Sequence, residues 1–149
     1  MSRWIAVALL VVAAVPAAAQ PAPRFPVNQS FRAMSLSGED VKYKGLSMTI
    51  THKGGDYRGA GQAGCNTWTS SVILRDREIG FFNIAATRKM CAKTTMEAEA
   101  AFLSALSHAK HWHIERDNVV IEGDGGGLVF RPGLARLKAE KSQTKHRSR

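Results

Sequence analysis

The stretch that decides the fold is Gly64-Cys65-Asn66-Thr67-Trp68, followed by Ala86-Thr87-Arg88-Lys89-Met90-Cys91 and then by Glu99-Ala100-Ala101-Phe102-Leu103. It holds both cysteines of the chain. Residues 67–74 are β-branched and aromatic and read as a strand, which Arg75-Asp76-Arg77 turns into a second strand over 78–83. Beyond Cys91 the period changes. Met96, Ala100, Phe102, Leu103 and Leu106 recur at helical spacing and predict a core-facing helix from Thr95 to about Ala109. Thr94 and Glu97 have the spacing of a capping box at its start. His108, Lys110 and His111 lie at its end, where positive charge suits the helix dipole.

Working outward, residues 47–52 alternate, with Met48 and Ile50 on one face and Thr49 and Thr51 on the other. Lys53-Gly54-Gly55-Asp56 is a tight turn into residues 57–59, which makes a hairpin. A first strand is expected over 31–36, ended by Ser37-Gly38-Glu39-Asp40. On the C-terminal side, residues 111–115 and 119–122 pair through Arg116-Asp117-Asn118. Gly123-Asp124-Gly125-Gly126-Gly127 then turns the chain into residues 128–131, and Pro132 ends the domain. One helix on a many-stranded antiparallel sheet gives an α+β fold: a small curled antiparallel β-sheet or partly open barrel with one packed α-helix.

The ends read differently. Met1-Ser2-Arg3 carries a positive charge, residues 4–15 are an unbroken apolar run, and Pro16-Ala17-Ala18-Ala19 offers a small-residue cleavage site before Gln20. This is the pattern of a secretory signal peptide over residues 1–19. The apolar run is shorter than the ~20 residues that span a bilayer, so no transmembrane segment is expected after cleavage. No cysteine follows it for lipid attachment. The expected location is the periplasm or the exterior. Residues 20–30, with Pro21, Pro23 and Pro26, read as an extended leader, residues 31–132 as the domain, and residues 133–149 as a basic disordered tail.

The net charge of +9 is unevenly placed. Residues 134–149 hold six Lys/Arg against one acid, whereas residues 20–133 hold fourteen Lys/Arg against eleven Asp/Glu. The domain is only mildly basic, and the tail is suited to anionic lipid or another envelope polyanion. Nucleic acid is not expected as a partner of an exported chain.

The order of these features resembles the META/HslJ family. Residues 47–51 match its opening Thr-rich strand, Gly64, Cys65 and Asn66 its Gly-Cys-Asn, and Trp68 a position where an aromatic is common. Ile84-Ala85-Ala86-Thr87-Arg88 matches the segment before the second cysteine; Glu99, Phe102, Leu103 and Leu106 match the helix. Met90 and Cys91 are one residue closer than in the family's Met-Ala-Cys, and Phe31 stands where a tryptophan is frequent. The resemblance implies an envelope-associated protein linked to heat-shock or drug-stress phenotypes, with no assigned enzymatic activity.

In an oxidising compartment two cysteines tend to pair. A Cys65–Cys91 bridge would close a loop of 27 residues, counted inclusively. Two buried thiols, or a reactive or metal-binding cysteine, are the alternatives. Other motifs are weaker. Gly59-Ala60-Gly61-Gln62-Ala63-Gly64 spells a dinucleotide fingerprint, but strand residues follow it where a helix is required. It reads as a loop that lets two strands cross closely. His108, His111 and His113 form a metal-like cluster without the further ligand that zinc wants. His52 could serve a Cys65 nucleophile only if that thiol were free. No catalytic, cofactor-binding or metal-binding residue is assigned. The expectation is a non-catalytic module acting through an unknown envelope component. The alternatives are an adhesion protein working through its tail and a Cys65-dependent enzyme.

Overall fold

The computed structural model describes residues 24–42 and 45–133. The signal segment and the basic tail lie outside the described residues. Alternation dictates the strands. In β3 (Ser47–Lys53) Met48 and Ile50 are fully buried, and in β5 (Thr67–Arg75) Trp68, Ser70 and Val72 face inward. β1 (Ser30–Leu36), β4 (Asp56–Gln62), β6 (Glu78–Ala86), β7 (Ala109–Glu115), β8 (Asn118–Gly123) and β9 (Gly126–Pro132) complete the wall. The short β2 (Glu39–Asp40), not foreseen in the sequence, pairs with β1 as a small flap.

The expected curled sheet or partly open barrel is corrected here: the barrel is closed. Neighbouring strands follow the order β1-β3-β4-β5-β6-β7-β8-β9, and β9 returns to β1 in a register from Phe31↔Pro132 to Leu36↔Leu128. β1 therefore pairs on both sides, with β3 through Ser30–Arg32 and with β9 along most of its length. Eight antiparallel strands form the cycle, and closure removes the edges on which unpaired N–H and C=O groups would stand. The narrowest seam joins β6 to β7 by the pair Glu78↔His111, supported by the Trp112 N–H donating to the Arg77 carbonyl at 2.9 Å.

α1 (Lys93–Ser107) bridges that seam in sequence and lies over one end of the barrel. Its first turn meets the β4–β5 turn, where a Cβ on Gly64 would stand 3.4 Å from Thr95. Its last turn meets the β8–β9 turn, where a Cβ on Gly125 would stand 3.2 Å from the Ala105 Cα. The helix begins and ends two residues earlier than expected, because Ala109 already belongs to β7. The expected capping box does not form. Ala92 is the N-cap, no side chain caps the helix, and Glu97 faces Lys93 at 3.8 Å on the exposed side. The buried stripe runs through Glu99, Phe102, Ala105 and Leu106, while Ala100 is exposed.

The interior is filled. Trp68 packs edge-on against Phe81 and Phe102 with ring centroids 6.0 and 6.1 Å apart, and Phe102 against Phe130 at 6.2 Å. Such pairs favour the edge-to-face geometry seen here. At the end opposite α1, Phe25 from the segment read as leader is buried, with its ring 5.0 Å from Trp112 and 6.3 Å from Phe31. Asn28 fixes that segment: its N–H donates to the Ile50 carbonyl at 2.7 Å and its Oδ1 accepts from the His52 N–H at 3.2 Å.

Candidate functional site

The polar residues of the family motif converge where the β4–β5 turn, the segment between β6 and α1, and the helix itself meet. Gly64 takes a left-handed φ of +96°, which turns the chain sharply out of β4. Asn66 follows and is 1% exposed, a burial that a carboxamide tolerates only when its donors and acceptors are satisfied. They are. Asn66 Oδ1 accepts from the Thr87 hydroxyl and from the Lys89 N–H, both at 2.7 Å. Asn66 Nδ2 donates to Glu99 Oε1 at 2.8 Å and to the Lys89 carbonyl at 3.3 Å. The Asn66 N–H donates to Glu99 Oε2 at 2.9 Å, and its carbonyl accepts from the Ala63 N–H at 2.7 Å. Two donors and two acceptor positions are the full capacity of the side-chain amide.

Glu99 enters this cluster from the buried face of α1 and is 6% exposed. Its two oxygens each take one hydrogen bond from Asn66. Thr87 has two tasks: its hydroxyl also accepts the Thr67 N–H at 3.2 Å, which ties the end of β6 to the start of β5. Cys65 and Cys91 are disulfide-bonded, with Cα atoms 6.1 Å apart. Of the open readings of the cysteines, the structure adopts the covalent one. Three elements are thus joined by one covalent bond and one buried hydrogen-bond network.

The other motif residues divide between core and surface. Trp68 is buried and its indole N–H donates to the Ser47 carbonyl at 3.1 Å. The strand expected over 57–59 runs on to Gln62, so Gly61 is corrected from a loop to strand β4; Gly59 and Gly61 pair opposite Ser70 and Trp68. Their missing Cβ atoms explain the glycines: at Gly61 one would collide with the Ser47 carbonyl and stand 3.0 Å from Trp68 Nε1. Met90 is 88% exposed, between Lys89, pinned by Asn66, and the bridged Cys91.

The histidines separate. His108 follows α1 with its Nδ1 2.9 Å from the Ser104 carbonyl, whereas His111 and His113 stand on β7, so His108 and His111 share no helix face. Among the described residues no group of three His, Cys, Asp or Glu converges as a metal site. His52 stacks on Tyr57 with ring centroids 4.4 Å apart, and the Cys65 sulfur is bonded to Cys91. Outside the cluster, Lys110 Nζ donates to Asp124 Oδ2 at 2.6 Å. This hydrogen bond, and with it the ammonium charge, holds the Asp124 carboxyl below its usual range. Among the described residues no helix is long and apolar enough to cross a membrane.

Glu99 could have been found from the sequence as a buried partner, since it lies three residues from both Met96 and Phe102 on the apolar side. Phe25 gave no periodic signal among the prolines.

A family model of the META domain matches residues 25–133. The match begins at the buried Phe25. Two solved structures are similar in fold. An NMR structure of a protein from Burkholderia xenovorans is 21% identical and covers 82% of this chain and 99% of its own, with a TM-score of 0.57. A second NMR structure is 19% identical and covers 69% of this chain and 87% of its own, with a TM-score of 0.54. No curated protein matches the chain.

Proposed function

The chain belongs to the META domain family, and from that premise we propose that it is an exported, non-catalytic envelope protein that acts by binding and contributes to stress or drug tolerance. The observation that carries this reading is the use to which the motif is put. Asn66, Thr87 and Glu99 spend their polar atoms on one another and on the backbone, and Cys65 is spent on Cys91. A reactive site needs a nucleophile or base directed at a substrate; these groups are directed at each other and hold a scaffold. The filled barrel leaves recognition to its outer surface. A disulfide fits an oxidising, extracytoplasmic compartment, as does the signal pattern of residues 1–19.

Expression of the full chain followed by cell fractionation tests export. The expected product begins at Gln20, lies outside the cytoplasm and resists alkylation unless reduced. An uncleaved cytoplasmic product with two alkylatable thiols would overturn the reading. Cys65→Ser separates a module from an enzyme: the module loses stability, whereas an enzyme would lose turnover while staying folded. A pull-down from envelope extract, with and without residues 134–149, then asks whether the domain or the tail finds the partner.

A further inference from the structure

The motif network and the disulfide immobilise a segment of which they use only the Thr87 and Cys91 side chains. Residues 87–93 read Thr-Arg-Lys-Met-Cys-Ala-Lys, and Arg88, Lys89, Met90 and Lys93 are all exposed. The backbone of Lys89 is gripped on both sides by Asn66, which accepts its N–H and donates to its carbonyl. Cys91 is tied to Cys65 two residues later. Met90 therefore projects from a fixed frame with 88% of its surface in water, the most exposed of the large apolar side chains described. Three cations flank it within six positions. The acids nearest in sequence are Glu97, which faces Lys93 as an exposed pair at 3.8 Å, and Glu99, which is buried on Asn66. Exposed pairs of this kind bind weakly and release the lysine readily. Two of the other exposed apolar side chains have a different setting: Phe82 and Ile73 border a groove shared by Glu78, Lys110 and His111.

We infer that the 87–92 loop, with Lys93 at the start of α1, is a membrane-surface contact, in which Met90 enters the interfacial layer of a bilayer and Arg88, Lys89 and Lys93 meet anionic lipid headgroups. Cations next to a membrane gain from the negative surface potential, and an apolar side chain gains from leaving water, so the two act together only at an anionic amphiphile. Holding the loop in one geometry removes the ordering cost that a free loop would bear on binding. This contact deepens the binding reading above and rests on it for its biological setting. The vesicle experiment is independent of export and fails separately from it.

The test measures partition of the purified full-length chain, as processed by the cell, onto phosphatidylcholine vesicles with and without phosphatidylglycerol. Binding is expected only with the anionic lipid. Met90→Ser leaves every charge and the tail in place and is expected to weaken partition about tenfold, while Met90→Leu retains it. Each of Arg88→Gln, Lys89→Gln and Lys93→Gln is expected to weaken it about fivefold at low salt. All five substitutions fall at four exposed positions, so melting temperatures should stay near that of the parent. No partition of the parent chain, or equal partition by Met90→Ser and the cation variants as a tail-driven contact would give, overturns the inference. Heparin binding that depends on the three cations and ignores Met90, without any vesicle effect of Met90→Ser, would assign the loop to a soluble polyanion and also overturn it.

Discussion

Asn66 and Glu99 stand 33 residues apart in sequence and meet through two hydrogen bonds, from the Asn66 backbone N–H to Oε2 at 2.9 Å and from its Nδ2 to Oε1 at 2.8 Å. One carboxylate thus reads both the backbone and the side chain of a single asparagine. It locks the start of β5 to the middle of α1.

Glu99→Gln tests this pairing with little change in volume. An amide keeps one acceptor but turns an NH2 group toward a second donor of Asn66, leaving buried donors unpaired. A loss of about 1–3 kcal/mol is expected, read by urea or thermal unfolding. A double-mutant cycle with Asn66→Ala and Glu99→Ala should give a coupling energy of about 0.5–3 kcal/mol. Additive losses would mean that the two residues act independently.

Much of the wall was legible because strand alternation is local: Met48 and Ile50 announce their face within one hairpin. Closure was not, because it depends on Phe31 meeting Pro132 and Leu36 meeting Leu128, contacts between opposite ends of the domain that no local pattern encodes. The cluster was half legible. Gly64, Asn66, Thr87 and Glu99 stood out as a set, but their convergence depends on α1 crossing the barrel end. Glu99 resembles any acidic residue on a helix until its neighbours Met96 and Phe102 are placed. The capping box failed for a related reason: Thr94 and Glu97 have the right spacing, yet the chain turns helical at Lys93, before Thr94 can act as the cap.

Replacing Cys65 and Cys91 together by serine removes the covalent tie but leaves the Asn66 network. The chain-entropy model assigns roughly 3–4 kcal/mol to a loop of this length, with a sequence separation of 26. The expected outcome is a less stable protein with the native β-rich circular dichroism spectrum. Adding Asn66→Ala to that variant should remove the remaining restraint on residues 87–92, visible as faster amide exchange at Lys89.

The strand glycines should respond unequally. Gly61→Ala drives a methyl into the Ser47 carbonyl, which is backbone, and against Trp68 Nε1, whose hydrogen bond to that same carbonyl would be lost. A destabilisation of about 2–4 kcal/mol follows from overpacking together with the broken bond. At Gly80 the added methyl meets only the ring of Phe82 at 2.9 Å, and that side chain is half in solvent and free to turn. Gly80→Ala should cost well under half as much in the same unfolding assay. Equal effects would contradict the close approach at Gly61.

The Lys110–Asp124 bond predicts a specific pH dependence. Asp124 follows β8, in the turn to β9, and its carboxyl is held below its ordinary value of 3.8, first by the hydrogen bond from Lys110 and then by the ammonium charge. A group whose folded pKa is depressed contributes stability that is complete above its unfolded value and lost as pH falls through the folded one. The contribution is therefore present at neutral pH and fades below about 3.8. Both side chains are well exposed, so the effect is small and screened by salt. The melting temperatures of the parent and of Asp124→Asn, compared across an acid titration at low salt, should differ slightly at neutral pH and converge at the acid end. A difference that grows on acidification would reverse the sign and exclude an ionised Asp124 as the partner of Lys110.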